Sequence, residues 1–236
     1  MSSVVYTQIP SCDPALAGEA AAIGVADLHE ALGPVAGRAA LMEPALRALV
    51  PGVRIAGQAV TALNYPGDNL MMHCALRLAA RGQVLVTTNG GAAHGAQWGK
   101  MATVNAQAKG LAGVIVDGCV RDVDALREMT YPVWASAVSA AHAEKRGPGL
   151  VNAPIVCGGV CVSPGDMIVA DGDGVLAVPL ALLPKALERA RAYAVRERAW
   201  TEQMRAGANL YDLAGIAAAA AAAGVETRDT TWAPDN

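Results

Sequence analysis

The sequence has no dense run of lysine and arginine. Its 18 basic and 21 acidic residues give a formal net charge of −3 at pH 7. Nucleic-acid grooves and anionic membrane surfaces are both recognised by clustered positive charge. The composition therefore argues against nucleic acid and membrane lipid as the main partners.

Long apolar runs are also missing, although the mean hydropathy is +0.31. The longest run, residues 213–225, is mostly alanine and is shorter than the roughly 20 apolar residues that a membrane-spanning helix needs. The first ten residues lack the basic segment and apolar core of a secretory signal. We expect a soluble, cytoplasmic protein that forms a single domain over residues 1–236, because 53% hydrophobic residues suffice for a large core.

Several common site motifs are absent. Five scattered cysteines, an odd number, argue against a disulfide framework. The four histidines show no metal-ligand spacing, and we expect Cys157 and Cys161 to be buried on one face of a single strand. Neither the P-loop nor the dinucleotide-binding glycine motif occurs. The missing Gly-x-Ser-x-Gly elbow disfavours a serine hydrolase of the α/β type.

Strands and helices alternate in the first half of the sequence, and closely spaced strands separated by Pro-Gly and Asp-Gly turns follow. This order predicts an α/β fold with a mixed sheet and flanking helices. Helices at about 179–223 are expected to pack on the core or on a neighbouring subunit. The main predicted strands are 53–63, 83–88, 113–116 and 155–162, and the main predicted helices are 13–32, 69–80 and 99–109.

The segment Asp117–Asp122 concentrates charge at the end of an apolar strand, where α/β proteins often bind ligands. Arg121 offers a planar guanidinium to a substrate carboxylate, and Asp122 offers hard oxygens to a divalent cation. In the alternative interpretation Asp122 is only the N-cap of a helix at 123–129. Spacing alone does not favour either interpretation.

The stretch around this pair, GLAGVIVDGCVRDVDALREMTYPVW, resembles the class II pyruvate aldolases that cleave 4-hydroxy-4-methyl-2-oxoglutarate and 4-carboxy-4-hydroxy-2-oxoadipate. The superfamily also contains the regulator of ribonuclease activity A proteins. Its site motif is a glycine followed twenty-two positions later by Arg-Asp, and Gly99 and Arg121-Asp122 match it. Further similar segments are PGDNLMMH, WGK, VNAPIVCGGVCVSPGDMIVADGDGVLAVP and YDLAG.

The resemblance implies a fold like the swivelling phosphohistidine domain and a metal-dependent lyase of the kind used in aromatic degradation. Such an enzyme cleaves a short oxo-dicarboxylate or tricarboxylate through a pyruvate enolate, by retro-aldol reaction or oxaloacetate decarboxylation. Arg121 would bind the pyruvoyl oxygens and stabilise the enolate, and Asp122 would ligate Mg²⁺ or Mn²⁺. Backbone N–H groups of the Gly99–Met101 turn would receive the carboxylate. His94, in the preceding glycine-rich loop, would contact the substrate.

Sites of this family lie between subunits of a homotrimer or homohexamer. The resemblance therefore implies that Lys145 and Glu197 act in the site of a neighbouring subunit. The alternative for both residues is a solvated surface position, because Lys145 lies in the polar segment AEKRGPG and Glu197 lies between two arginines.

The sequence departs from the family pattern at Lys100, where an acidic residue is usual. The acidic residue often found three places beyond Asp122 is Ala125 here, with Asp124 adjacent. A lysine ammonium has no acceptor, so we expect Lys100 to anchor a substrate carboxylate and decarboxylation to outpace aldol cleavage. The departure leaves a non-catalytic regulator as an alternative. A phosphohistidine carrier that uses His94 is a weaker one.

Overall fold

The chain forms a mixed sheet with flanking helices. The structure is a computed structural model that describes residues 3–92 and 94–232. Its strands are β1 (Val4–Val5), β2 (Arg47–Ala48), β3 (Ile55–Leu63), β4 (Val84–Thr88), β5 (Gly113–Val120), β6 (Val133–Val138), β7 (Leu150–Val151), β8 (Ile155–Cys157), β9 (Val160–Val162), β10 (Met167–Asp171) and β11 (Gly174–Val178). Its helices are α1 (Pro14–Ile23), α2 (Val25–Leu32), α3 (Pro34–Ala40), α4 (Leu70–Leu78), α5 (Lys100–Lys109), α6 (Val123–Glu128), α7 (Leu183–Arg205), α8 (Leu210–Leu213) and α9 (Ile216–Ala222).

Four parallel strands form the middle of the sheet, in the order β3, β4, β5 and β6. Antiparallel strands extend it on both sides, because β7 and β10 pair with β3 while β2 pairs with β6. β1 runs parallel to β7, β11 pairs with β10, and β8 and β9 form a separate hairpin. The prediction of an α/β fold with a mixed sheet is confirmed. The carboxyl ends of the four parallel strands meet at one edge.

The middle strands are buried on both faces because their sequences are almost entirely apolar. Leu85 and Val114 belong to a core cluster that also contains Met72 of α4. Val86 and Ile115 point to the other face, in a cluster with residues of β6, β8, β9 and β10. Each fully buried side chain of this size contributes about 1.5–3 kcal/mol to the free energy of unfolding. The parallel strands therefore form a rigid support for the loops at their carboxyl ends.

The helix predicted at 13–32 is two helices, α1 and α2, which meet at Gly24. Gly24 has a φ of 90°, which side-chain-bearing residues rarely adopt. A Cβ at Gly24 would lie 2.9 Å from Oδ2 of Asp171. That oxygen accepts the N–H of Val25 at 3.0 Å, so Asp171 satisfies a backbone donor at the start of α2.

The hairpin of β8 and β9 replaces the single strand predicted at 155–162. The chain reverses at Gly158 and Gly159, where φ is 54° and 75°. Cys157 is buried before the turn, whereas Cys161 is exposed after it. The prediction that both thiols lie on one buried strand face is therefore wrong, because the reversal places Cys161 opposite the exposed Val156.

Contacts divide the chain into one unit of residues 1–190 and a second of residues 191–236. The sheet belongs to the first unit. In the second unit the guanidinium of Arg196 lies 4.7 Å from the ring centre of Tyr193 and 5.1 Å from that of Trp200, a cation–π arrangement on α7. Within residues 3–92 and 94–232, no helix is both long and apolar enough to cross a membrane.

Candidate active site

Arg121 and Asp122 follow β5 directly, at the carboxyl edge of the parallel strands. β5 runs to Val120, four residues beyond its predicted end at Val116, so the pair begins where the strand ends. The N–H of Arg121 donates to the carbonyl oxygen of Trp98 at 3.0 Å, which joins the pair to the segment before α5. The side chains of Arg121 and Asp122 are 44% and 42% exposed, so both reach solvent from a fixed backbone.

Asp122 has a left-handed backbone conformation, with φ 58° and ψ 35°. Such a conformation costs about 1 kcal/mol or more in a residue with a side chain, and aspartate is among the few that tolerate it. Asp122 occupies the N-cap position of α6, but its carboxylate makes no capping hydrogen bond there. Its Oδ2 accepts the N–H of Lys100 at 3.0 Å instead. The carboxylate is therefore directed at the start of α5.

Gly99 provides the space for this arrangement. A Cβ at Gly99 would lie 2.7 Å from Oδ2 of Asp122 and 3.0 Å from Cγ of Arg121, both too close. The carbonyl oxygen of Gly99 accepts the N–H of Thr103 at 3.1 Å and its hydroxyl at 3.2 Å. The same hydroxyl accepts the indole N–H of Trp98 at 2.7 Å. These bonds fix the first turn of α5 against the Arg-Asp pair.

The pair lies in a cleft of about 150 Å³ at the start of α5. Five of the residues predicted for the site line this cleft. The cleft combines cationic, amide, imidazole and apolar side chains. Its lining residues are Asn69, Met72, His73, Ala96, Gln97, Trp98, Gly99, Met101, Ala102, Arg121, Asp122, His142, Ala143 and Lys145.

Lys145 lines the cleft of its own chain. Its action in the site of a neighbouring subunit stays a prediction. Lys145 reaches the cleft of its own chain because Asp68 holds the loop after β6 beside α4. Oδ2 of Asp68 accepts the N–H groups of Arg146 at 2.6 Å and Gly147 at 2.8 Å. One chain therefore brings Lys145 into the cleft that contains Arg121.

The electrostatics of this loop depend on Asp68, which is only 2% exposed. Burial by itself raises the pKa of Asp68. The backbone N–H groups of Leu70, Arg146 and Gly147 and the charge of Lys145 outweigh burial, so that the pKa is lowered from 3.8. Asp68 is therefore ionised at neutral pH and anchors the loop through charge-assisted hydrogen bonds.

His73 lies one turn after the start of α4 and faces the same cleft. Its partial burial and the charge of Lys145 lower its pKa from 6.5, against the opposing effect of Asp68. The imidazole is therefore mainly neutral at pH 7, with one nitrogen able to donate and the other able to accept.

Asn69 and Gln97 were not predicted from the sequence, yet both line the cleft. Gln97 is fully buried, and its Oε1 accepts from Nδ2 of Asn64 and from the hydroxyl of Thr87, each at 2.9 Å. Its Nε2 donates to the carbonyl oxygen of Asp117 at 3.1 Å. This network ties β4 and β5 to the segment before α5. Asn69 and His73 both lie in the segment PGDNLMMH, which is part of the resemblance but gives neither residue a role.

Three predicted residues are not among the described residues that line the cleft. Lys100 contributes its backbone N–H to Asp122, while its side chain is exposed. His94 is exposed and lies beside the turn at Gly67. A Cβ built on Gly67 would lie 3.7 Å from Cδ2 of His94. Glu197 is exposed on α7 in the second unit.

Asp122 is the carboxylate that the cleft offers to a cation. Among the described residues, no group of three or more His, Cys, Asp and Glu side chains is placed to hold a metal ion. Mg²⁺ is usually bound by one or two carboxylates and completes its shell with water and substrate oxygens. A single, partly exposed carboxylate fits that mode of binding and does not fit a closed zinc site.

The comparisons with known proteins identify the family of the chain. A family model described as RraA-like, Aldolase/RraA, matches residues 25–177, which include the whole Gly99 to Asp122 segment. Two relatives share the name "Putative 4-hydroxy-4-methyl-2-oxoglutarate aldolase". One, from Halalkalibacterium halodurans, is 35% identical over 65% of this chain and 75% of its own. The other, from Burkholderia mallei, is 40% identical over 63% of this chain and 89% of its own.

A solved structure shows the same fold over most of the chain. RraAS2 of Streptomyces coelicolor, described as an unusual member of the RNase ES inhibitor RraA protein family, superimposes with a TM-score of 0.73. It is 27% identical and the match covers 84% of this chain and 99% of RraAS2. Because the family model covers more than half of the sequence, including the segment that builds the cleft, the chain belongs to the RraA-like family.

Proposed function

We propose that this protein is a carbon–carbon lyase that acts on a short oxo-acid with two or three carboxylates and passes through a pyruvate enolate. The observation that carries the proposal is the Arg121-Asp122 pair, which Gly99 allows to lie directly against the start of α5. The names of the two relatives support the same class of reaction.

The start of α5 would bind the carboxylate of the pyruvoyl group. In its first turn, the N–H of Lys100 donates to Oδ2 of Asp122, and the N–H of Thr103 donates to the carbonyl oxygen of Gly99. The N–H groups of Met101 and Ala102 have no acceptor within the helix, as is general for a first turn, and both residues line the cleft. Helix starts attract anions because their N–H groups carry partial positive charge.

Arg121 would stabilise the enolate. Cleavage leaves an electron pair on the pyruvate carbon, and the resulting negative charge is shared with the oxo oxygen. A guanidinium at the end of β5 is placed to pair with that charge, and electrostatic stabilisation of a developing charge is usually the largest single contribution to catalysis. A divalent cation on Asp122 would supply Lewis-acid polarisation of the oxo-acid. Lys145, which also lines the cleft, would bind a second carboxylate.

The aldol and decarboxylation reactions differ in whether a hydroxyl proton must be removed. Retro-aldol cleavage requires loss of the proton on the C4 hydroxyl, whereas decarboxylation of oxaloacetate does not. The ammonium of Lys100 has no acceptor for that proton, and its side chain lies outside the set of cleft-lining residues. The prediction that decarboxylation is the faster reaction of this protein rests on the lack of a proton acceptor at position 100.

Measurement of pyruvate release tests the lyase proposal. Purified protein should release pyruvate from 4-hydroxy-4-methyl-2-oxoglutarate and from oxaloacetate in the presence of Mg²⁺. Exhaustive treatment with EDTA should abolish release while circular dichroism shows a retained fold, and Mg²⁺ or Mn²⁺ should restore it. Full activity after chelation would overturn the metal requirement, and absence of pyruvate with both substrates and either metal would overturn the lyase.

The likeness to RraAS2 favours a second candidate, a non-catalytic protein that binds a ribonuclease. This alternative predicts no metal-dependent pyruvate release, together with a stable complex on size-exclusion chromatography with a purified ribonuclease from the same cell. The Arg121-Asp122 arrangement has no evident use in such a complex, so we place the lyase first.

A further inference from the structure

β5 contains a bulge just before the Arg121-Asp122 pair. Two of its residues, Asp117 and Gly118, lie opposite the single residue Ser136 of β6. Gly118 has a φ of 147°, a backbone conformation that favours glycine. An extra residue reverses the alternation of side chains between the two faces of a strand, and bulges are common beside active sites for that reason. The direction in which Arg121 and Asp122 project therefore depends on this bulge.

Two side chains hold the bulge in place. The hydroxyl of Ser136 accepts the N–H of Gly118 at 2.7 Å and donates to its carbonyl oxygen at 3.2 Å. Nε2 of Gln97 donates to the carbonyl oxygen of Asp117 at 3.1 Å. A Cβ at Gly118 would clash with that nitrogen, so the amide of Gln97 lies directly against the bulge. The geometry of β5 at this point is therefore set by Gln97 as well as by the neighbouring strand.

The amide of Gln97 is fully buried and is fixed at both ends. Its Oε1 accepts from Nδ2 of Asn64 and from the hydroxyl of Thr87, each at 2.9 Å. Rotation of the amide by 180° would place its oxygen against the carbonyl oxygen of Asp117, so these partners allow a single orientation. Displacement of the amide would leave buried polar groups without partners, which is costly.

The backbone at Gln97 also contacts β5, on the other side of the bulge. The N–H of Gln97 donates to the carbonyl oxygen of Cys119 at 2.8 Å. One residue further along each segment, the N–H of Arg121 donates to the carbonyl oxygen of Trp98 at 3.0 Å. Gln97 therefore holds β5 before the bulge by its side chain and after the bulge by its backbone.

We propose that Gln97 is a positioning residue, which fixes the bulge of β5 and thereby the direction of Arg121 and Asp122 in the cleft. This inference rests on the proposed lyase function and adds a residue that acts through the backbone of β5. A displacement of about 1 Å in an active site lowers the rate by about 10²-fold. Loss of the Gln97 amide should lower kcat more than it raises KM, because Arg121 pairs with charge that forms during the reaction.

Gln97→Glu tests the inference because it keeps the shape of the side chain and makes one hydrogen bond depend on pH. The new carboxyl group donates to the carbonyl oxygen of Asp117 only when it is protonated, and burial raises the pKa of a carboxyl. Pyruvate release from oxaloacetate is measured with Mg²⁺ and corrected for the rate without protein. Relative to the unaltered protein at the same pH, kcat/KM should be about 10-fold or more lower at pH 8 and should recover at pH 5.5.

Two further variants complete this experiment. Gln97→Met cannot donate at any pH, so it should show the loss of kcat/KM without the recovery. Gln107→Glu is the matched control, because Nε2 of Gln107 also donates to a backbone carbonyl oxygen, that of Met129 at 3.3 Å, but from an exposed position. It should match the unaltered protein at both pH values. Near-normal kcat/KM in a folded Gln97→Met protein, or an equal loss at both pH values in Gln97→Glu, would overturn the inference.

Hydrogen exchange followed by NMR gives a readout that does not depend on catalysis. In Gln97→Met the amide of Arg121 should exchange about 10-fold faster, since its segment opens locally. The amide of Val114, which lies earlier in β5 and donates to Pro132 at 3.0 Å, should change much less. An equal increase at both amides would show a general loss of stability and would overturn the positioning role. Gln97→Glu replaces the methionine variant if that variant does not fold. If the unaltered protein releases no pyruvate, the lyase proposal fails, and these two amides still decide whether Gln97 fixes the pair.

Discussion

At the scale of single residues, the candidate site depends on backbone geometry as much as on its charged side chains. The carboxylate of Asp122 is directed at α5 because Asp122 adopts a left-handed conformation and accepts the N–H of Lys100. Gly99 leaves room for that carboxylate. The glycine at the first position of the motif therefore has a steric explanation, because a side chain there would displace Arg121 and Asp122.

Gly99→Ala tests this steric explanation. The new Cβ would lie 2.7 Å from Oδ2 of Asp122, so the carboxylate must move. We expect a fall in kcat/KM of about 10-fold or more, because displacements near 1 Å in an active site are costly, and a loss of about 1–3 kcal/mol in the free energy of unfolding. Steady-state kinetics and urea unfolding measure the two effects.

Gly18→Ala is the matched control for Gly99→Ala. Gly18 lies within α1 and has no atom within 4 Å of a new Cβ. Alanine there should leave activity unchanged and stabilise the protein by about 0.5–1 kcal/mol, since alanine is the better helix former. Equal activity of the Gly99→Ala and Gly18→Ala proteins would contradict the steric role of Gly99.

At the scale of elements, the sequence predicted the middle strands and α5 well, because their apolar runs and the glycine after α5 are local signals. It did not predict the break at Gly24 or the hairpin of β8 and β9. Those features depend on contacts with distant residues, such as Asp171 beside Gly24. The same limitation applies to the site. Arg121 and Asp122 were found by local pattern, and Lys145 was named only through the resemblance. Asn69, which reaches the cleft through tertiary contacts, was not predicted.

The loop that carries Lys145 gives a prediction at this scale. Asp68→Asn would place an amide N–H₂ or a neutral oxygen against the N–H groups of Arg146 and Gly147, and should cost about 1–3 kcal/mol of stability at pH 7. The pKa of Asp68 is lowered from 3.8, so its charge stabilises the folded state above that value. This contribution is lost as the pH falls through the lowered, folded-state pKa.

Urea unfolding between pH 7 and pH 2.5 measures the effect. The difference in unfolding free energy between the parent protein and Asp68→Asn should be largest above pH 3.8 and shrink in more acidic solution. Asp124→Asn is the control, because the Asp124 side chain is 98% exposed and pairs with Arg127 on the surface. A difference for Asp68→Asn that does not change with pH would show that the pKa of Asp68 is the same in the folded and unfolded protein, which would contradict its lowered pKa.

At the scale of the whole molecule, apolar side chains around the cleft are exposed in the isolated chain. Met101 is 76% exposed, Val104 44% and Val138 60%. We propose that the chain assembles as a homotrimer or homohexamer that covers them, and that Glu197 contributes to a site in that assembly. Light scattering should give three or six times the 24.0 kDa of one chain. A fully active 24.0 kDa monomer would contradict this assembly.

The most direct test of the proposed lyase is the kinetics of Arg121 variants with 4-hydroxy-4-methyl-2-oxoglutarate and oxaloacetate in the presence of Mg²⁺. Arg121→Ala should lower kcat/KM for both substrates by about 10²–10³-fold, which corresponds to about 3–4 kcal/mol of lost transition-state stabilisation. Arg121→Lys should not restore it, because an ammonium lacks the planar pair of donors. Arg127→Ala, on the surface of α6, should retain full activity. Near-normal pyruvate release by a folded Arg121→Ala protein would contradict the account.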